Sequence, residues 1–231
     1  MVLSFSSDES QKIHDITELY SYYKALSIYA EELEDQSFIP PINEIKDSFD
    51  HLMRVFSVKC GFKDKNGEYL QENLDAVFRH VYRATYDLLD YIRIYQKEKI
   101  YRKMEGFSRE TIVTVFPDYY PVIVPEVDQC LQEIPLLKAD KDIGDPDIEK
   151  VKIFVSISQK LQEYCTEINR KYPALVEYQN KKDAEERVLE EKERHFQVLG
   201  HTIAYKSAII GGIIGSIIGG IFVYLIGRIW G

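Results

Sequence analysis

The feature that most constrains this chain is an uncharged run of residues near its C-terminal end, from Ser207 to Gly227. A helix rises about 1.5 Å per residue, so the run is long enough to cross a hydrocarbon core of about 30 Å. Lys206 and Arg228 flank the run. Tyr224 and Trp230 lie towards its C-terminal end, where amphipathic rings favour the membrane–water interface. We therefore predict a single transmembrane helix at this end of the chain.

Small residues recur every four positions in this run and form two adjacent rows. Because four residues are close to one helical turn, both rows lie on one face of the helix. A glycine weakens a helix by about 1 kcal/mol relative to alanine, so a glycine face favours the close approach of another backbone. We predict a homo-oligomeric cluster of such helices, packed as a glycine zipper. The alternative is a single anchor that tolerates its glycines. The predicted oligomerisation and pore residues are Gly211, Gly212, Gly215, Ser216, Gly219 and Gly220.

The rest of the chain has the composition of one globular domain. About 200 of the 231 residues lie outside the predicted span, which is enough for a proper core. The net charge of −9 argues against nonspecific binding to nucleic acid or anionic lipid. Three widely spaced cysteines fit a reducing compartment, and the N-terminus lacks the features of a secretory signal. We expect a single-pass protein of the inner (plasma) membrane whose N-terminal domain is cytoplasmic.

Apolar residues at intervals of three and four predict helices through most of this domain. Between Thr111 and Pro125, β-branched residues and three prolines instead predict an extended loop or a short strand. The sequence therefore predicts an all-α fold. It comprises a cytosolic helical bundle over residues 1–180, a charged stalk with an interfacial collar over 181–205, and a transmembrane helix over 206–228. The stalk is charged on nearly all sides, which is typical of a solvated helix or of a loose coiled coil.

The start of the first helix is also indicated by the sequence. Ser7 and Asp8 precede a long apolar stripe, and short polar side chains of this kind accept hydrogen bonds from the first free N–H groups of a helix. We therefore expect one of these two residues to be the N-cap of the first helix.

Two successive predicted helices share the pattern Phe-x-His-apolar-x-Arg, beginning at Phe49 and at Phe78. In both copies the histidine and the arginine lie at the same offset from the apolar face. Because successive helices pack as antiparallel neighbours, the four side chains are expected on one side of the pair. Guanidinium groups suit phosphate, and imidazoles add hydrogen bonds. The predicted ligand-binding residues are His51, Arg54, His80 and Arg83. The alternative is structural pairing of each arginine with an acid four residues away, Asp50 or Asp87.

Signals of enzyme chemistry are weak. The sequence has no phosphate-binding glycine-rich loop, no nucleophile elbow and no metal-ligand spacing, so we predict no catalytic residues, no metal and no cofactor. Arg194 and His201 form a pattern similar to the Arg-x(4–6)-His motif of HEPN-type ribonucleases, which are also helical bundles. The pair lies in the predicted collar, outside the predicted bundle, which makes a HEPN-like ribonuclease the minor alternative.

A helical soluble domain, a charged stalk and a glycine-rich span in this order resemble the small membrane effectors of bacterial anti-phage defence. The architecture looks most like that of the channel-forming effector of Hailong-type systems. The resemblance implies a homo-oligomeric, tetrameric ion channel that depolarises the membrane. It also implies that the soluble domain binds a nucleotide or short oligonucleotide messenger made by a neighbouring nucleotidyltransferase. The alternative from another class is a tail-anchored scaffold or adaptor that conducts nothing.

Overall fold

A computed structural model describes residues 3–34, 38–139, 141–142 and 144–230. All regular secondary structure in these ranges is helical, which confirms the predicted all-α class. The side chains of Tyr224, Arg228 and Trp230 lie outside the described residues, so their interfacial and flanking roles stay predictions. The helices are α1 (Ser7–Glu34), α2 (Ile39–Lys59), α3 (Gly67–Arg102), α4 (Arg109–Val115), a π-helical turn (Tyr119–Ile123), α5 (Val124–Ala139) and α6 (Ile148–Trp230).

The chain divides into two compact units, Met1–Leu175 and Val176–Gly231. The first contains α1 to α5 and the beginning of α6, and the second contains the remainder of α6. The boundary predicted between residues 180 and 181 lies close to this division. The boundary predicted between residues 205 and 206 falls inside the second unit, where the chain is helical on both sides.

The core of the first unit is built around α3, which is buried along most of its length. Both α1 and α2 pack on α3, and α2 runs antiparallel to it. Phe38, just before α2, stacks on Tyr91 at 4.6 Å between ring centroids, whereas Val55 near the other end of α2 packs on Leu70. The apolar seam of α1 is buried as the periodicity predicts. Its buried residues are Leu19, Tyr23, Leu26 and Ala30.

One buried amide connects three helices of this unit. The side-chain nitrogen of Gln96 on α3 donates to the carbonyl oxygen of Ser158 on α6 at 2.9 Å and to the hydroxyl of Tyr29 on α1 at 3.4 Å. The Ser158 hydroxyl in turn donates to the amide oxygen of Gln96 at 3.4 Å. Because Gln96 is fully buried, these bonds satisfy polar groups that would otherwise lose their hydration.

Helix α1 starts with a capping box that the sequence prediction misplaces. The Ser6 hydroxyl accepts a hydrogen bond from the Glu9 N–H at 3.2 Å, and the Glu9 carboxylate accepts one from the Ser6 N–H at 2.8 Å. The predicted caps, Ser7 and Asp8, are therefore wrong, because both lie inside the first turn. Ser6 is preferred because the glutamate three residues after it reciprocates the hydrogen bond.

The extended loop or short strand predicted between Thr111 and Pro125 is also wrong, since Arg109–Val115 form α4, Tyr119–Ile123 form the π-helical turn and α5 begins at Val124. The Ser108 hydroxyl accepts a hydrogen bond from the Thr111 N–H at 3.2 Å and so caps this short helix. Burial of Thr111 and Ile112 outweighs the modest helix preference of β-branched residues. Pro117, which follows, cannot donate a backbone hydrogen bond and stands just beyond the end of the helix.

In the second unit α6 carries the predicted apolar run. By length and composition this helix is able to cross a membrane, and none of its apolar window is buried within the chain. Isoleucines of this apolar run, such as Ile210 and Ile217, are exposed. This part of α6 is the one candidate transmembrane segment among the described residues. Lipid or another protein surface would remove its exposed apolar side chains from water.

Candidate functional site on the second and third helices

The repeated His–Arg pattern places its two histidines face to face between α2 and α3. The rings of His51 and His80 stack with their centroids 5.4 Å apart and an angle of 27° between their planes. Arg83, one turn after His80, brings a terminal guanidinium nitrogen to 2.8 Å from the Nδ1 atom of His80. Three of the four predicted ligand residues therefore lie together.

A carboxylate that the sequence analysis missed lies among them. One oxygen of Glu44, on α2, accepts a hydrogen bond from Nε of Arg83 at 2.9 Å and lies 2.8 Å from Nδ1 of His80. Glu44 precedes His51 by two helical turns on the same face of α2, which is the one signal that could have indicated it. We call Glu44, His51, His80 and Arg83 the histidine cluster.

The Nδ1 atom of His80 faces two partners that require opposite protonation states. It accepts a hydrogen bond from Arg83 only when it carries no proton, and it donates to Glu44 only when it does. One partner is therefore satisfied at the expense of the other. A change in charge beside Nδ1 of His80 can therefore favour one of two hydrogen-bond patterns. Nδ1 either accepts from Arg83 or donates to Glu44.

His51 is held by a different neighbour. Its Nδ1 atom lies 2.9 Å from the side-chain oxygen of Asn73, which is buried on α3. The amide nitrogen of Asn73 donates to the carbonyl oxygen of Tyr69 at 2.7 Å, so the amide oxygen faces His51. Nδ1 of His51 therefore donates, and Nε2 remains as the acceptor or proton-binding atom of this ring.

Arg54 does not join the cluster. It forms a salt bridge with Asp50, four residues earlier, on the exposed face of α2. This is the structural pairing weighed as the alternative to ligand binding. Arg83 differs, because its partner is Glu44 on the neighbouring helix and not Asp87 on its own.

The charges of the cluster nearly cancel. Arg83 contributes one positive charge and Glu44 one negative charge, and the side chains of Glu44, His80 and Arg83 are all at least two-thirds buried. An anion that takes the Nε–H of Arg83 displaces Glu44, and the contact between α2 and α3 then changes.

A second charged group adjoins Arg83 farther along α3. Burial raises the pKa of the Asp87 carboxyl, and the ammonium group of Lys141 opposes that rise. Burial lowers the pKa of Lys141, and the carboxylate of Asp87 opposes that lowering. Nζ of Lys141 lies 4.7 Å from the centroid of the Tyr86 ring, within the range of a cation–π contact. The positive Arg83, the acidic Asp87 and the basic Lys141 thus lie in sequence beside this part of α3.

The predicted glycine face, which comprises Gly211, Gly212, Gly215, Ser216, Gly219 and Gly220, is an open surface of α6. A Cβ atom built on any of these five glycines would meet nothing within 4 Å. The Ser216 hydroxyl donates to the carbonyl oxygen of Gly212 at 2.7 Å, so it is satisfied within its own helix. The face can therefore receive another backbone without leaving a polar group unpaired.

The residues behind the ribonuclease alternative show ordinary surface contacts. A terminal guanidinium nitrogen of Arg194 lies 3.9 Å from a carboxylate oxygen of Glu190, one turn earlier. His201 is exposed. Across the described part of the chain no group of three His, Cys, Asp or Glu side chains could hold a metal ion. The absence of enzyme activity stays a prediction.

No protein-family model, curated protein or solved structure matches this chain.

Proposed function

We propose that this protein is a homo-oligomeric membrane effector that forms an ion channel or pore. We further propose that a nucleotide-type ligand, bound to the helical domain, gates it. In this proposal the protein spans the inner (plasma) membrane once, keeps its N-terminal domain in the cytoplasm, and depolarises the membrane during anti-phage defence. The observation that carries the proposal is the open glycine face on an exposed apolar helix.

Self-association through the glycine face is supported by the energetics of helices in lipid. Lipid tails cover isoleucine as well as another helix does, so apolar character alone does not drive association there. Close backbone packing does, and it requires small residues on the contact face. The internal hydrogen bond of Ser216 removes the cost of burying its hydroxyl in such a contact.

Gating is supported by the competition within the histidine cluster. A phosphate group suits the guanidinium of Arg83 as well as the Glu44 carboxylate does, and it also accepts hydrogen bonds from protonated imidazoles. A ligand shifts a conformational equilibrium only when it binds the two conformations differently. Replacement of Glu44 by phosphate would change a contact between α2 and α3, and so meets that condition.

The channel is tested by ion flux through liposomes that contain the purified full-length protein. We expect a measurable leak, and we expect Gly215→Leu to reduce it about tenfold, because a leucyl side chain in a packed contact costs about 1–3 kcal/mol. Ile221→Leu, on the same helix but on the side away from Gly212, Gly215 and Gly219, is the matched control and should keep the leak. If no condition produces a leak, the tail-anchored scaffold becomes the better description.

The ligand site is tested by the binding of labelled nucleotides and short oligonucleotides. Glu44→Gln should increase affinity about tenfold, since it removes the carboxylate that competes for Arg83, and Arg83→Ala should decrease it by a similar factor. Asp50→Asn is the control, because it removes an equal charge from the exposed Arg54 pair. Unchanged affinity in both Glu44→Gln and Arg83→Ala would remove the cluster as the binding site.

A further inference from the structure

Apolar residues recur every seven positions along the second unit of α6, across the boundary between the predicted stalk and the predicted span. Seven residues are close to two helical turns, so these side chains lie on one side of the helix. All are exposed in the single chain, and Phe196 is 73% exposed. We call them the heptad row: Leu189, Phe196, Ile203, Ile210 and Ile217.

The heptad row lies on the opposite side of the helix from the glycine face. At about 100° per residue, Gly215 is rotated by about 140° from Ile210, and Gly219 by about 180°. Towards the N-terminus the two sides differ sharply. The glycine side continues as polar Arg194 and His201, whereas the heptad side stays apolar. Only the heptad row is thus apolar both in the span and in the stalk from Leu189 onward; its preceding position is Lys182.

Lipid cannot cover the whole heptad row. From Leu189 to Ile217 the helix rises about 42 Å, which exceeds the hydrocarbon thickness of about 30 Å. With the membrane over residues 206–228, the first three members of the row lie outside the hydrocarbon core. Ile203 reaches the interfacial region, whereas Leu189 and Phe196 lie about 26 and about 15 Å before the span along the helix. These two exposed apolar side chains require a protein surface to remove them from water.

We propose that Leu189, Phe196 and Ile203 form the self-contact of a short parallel coiled coil with a second copy of this chain, directly outside the membrane. A seven-residue repeat is self-complementary, because each residue meets its own counterpart in a parallel pair. The pair is parallel because every copy enters the membrane at the same end of α6, so the inference rests on the membrane span of the proposed function.

Charge complementarity supports the same register. When Leu189 takes position a of the heptad, Lys181 takes position g and Glu186 takes position e of the next heptad. These are the positions that face each other between parallel helices, and here they carry opposite charges. Both side chains are exposed in the single chain, where a carboxylate oxygen of Glu186 also lies 3.9 Å from Nζ of Lys182.

The coiled coil is weak by itself and depends on tethering in the membrane. Charged residues occupy one a position, Lys182, and three d positions, Glu185, Lys192 and Lys206, and like charges at these positions oppose pairing. Chains gathered in one membrane assembly hold their stalks at a high effective concentration, so a weak contact suffices. Because the heptad row and the glycine face lie on opposite sides of α6, the coiled-coil partner is a different copy from the one packed on the glycine face.

The test is disulfide cross-linking of the full-length protein in membranes. The background is Cys60→Ser, since Cys60 is only partly buried while Cys130 and Cys165 are buried. Single cysteines are placed in the row (Leu189→Cys, Phe196→Cys) and, as matched controls, on the opposite side (Glu190→Cys, Arg194→Cys). We expect the cross-linked fraction to be at least fivefold higher in the row. Equal fractions on both sides, higher fractions at the controls, or no cross-links at all would overturn the proposal.

A second variant guards against nonspecific collision. The double change Leu189→Glu with Phe196→Glu should lower cross-linking of Ile203→Cys at least fivefold, and an unchanged yield would also overturn the proposal. Cross-linking does not require conductance, so the two failures are distinguishable. Cross-links in the row without any liposome leak would reject the channel and support the coiled coil. A leak without these cross-links would reject the coiled coil and support the channel.

Discussion

Replacement of Phe154 by alanine is expected to lower the free energy of unfolding of the first unit by about 3–5 kcal/mol. Phe154 is 0% exposed, and its ring meets that of Tyr86 edge-on with 5.8 Å between the centroids. Truncation removes the burial of the ring and leaves a cavity between α3 and α6, where close-packed neighbours relax only in part. Urea denaturation in mild detergent, followed by the near-ultraviolet signal of the buried tyrosines, measures the change.

The chain offers a matched control for this substitution. Phe62, in the turn after α2, is 84% exposed, so Phe62→Ala removes the same atoms from a position that buries little of them. We expect a change of less than about 0.5 kcal/mol there. Equal effects at the two positions would show that Phe154 is not part of the core.

Replacement of Lys59 by methionine is expected to destabilise the same unit by about 2–3 kcal/mol at neutral pH. Nζ of Lys59 donates to the Glu9 carboxylate at 2.6 Å, and the exposed fractions of the two side chains are only 16% and 10%. Methionine keeps most of the length of the lysine stem but leaves the carboxylate buried without its cation. The loss of stability therefore measures the cost of an unpaired buried charge and not the cost of a cavity.

The effect of Lys59→Met should decrease in acid. Burial alone would raise the pKa of Glu9, but the hydrogen bonds from Lys59 and Ser6 and the charge of Lys59 outweigh it, so the pKa is lowered. A carboxyl with a lowered pKa stabilises the fold above its unfolded pKa of about 4.3, and that stability is lost as the pH falls through the folded value. Urea denaturation at pH 7 and near pH 3 should show a large and then a small difference between wild type and variant.

Arg54→Met is the control for the Lys59 prediction. It removes a cation from the exposed pair with Asp50, and surface pairs contribute about 0–1 kcal/mol. If Arg54→Met destabilises as strongly as Lys59→Met, burial is not the cause of the Lys59 effect. If the Lys59 effect stays constant down to pH 3, ionisation of Glu9 is not involved.

The sequence predicts the helices of the first unit well where apolar residues follow the helical period, as along α1 and α3. It fails at Thr111, where local preferences favour an extended chain. The cap from Ser108 and the burial of Ile112 stabilise a helix there instead. Burial depends on contacts distant in the chain, and neither periodicity nor propensity over so short a segment can indicate them.

The candidate site was predictable only in part for a similar reason. Arg54 and Arg83 share the His-x-x-Arg spacing, and each has an acid four residues away, before Arg54 and after Arg83. The acid-before-base order favours the pair at Arg54, but it does not indicate which partner Arg83 takes. The tertiary structure does so, because Glu44 projects from α2 towards Arg83 while Arg54 stays on the exposed face of α2. The partner of Arg83 lies 39 residues earlier in the chain, beyond the reach of any local pattern.

The buried amide of Gln96 limits how the first unit can move. Apolar side chains permit neighbouring helices to slide, because dispersion contacts have no direction, but a buried hydrogen bond is broken by a shift of about one residue. The bonds from Gln96 to Tyr29 and Ser158 therefore fix α1, α3 and the beginning of α6 at one axial position. A rearrangement that starts between α2 and α3 and preserves these bonds can move α6 relative to α1 and α3 only by a tilt or a rotation, and not by a slide along the helix axis.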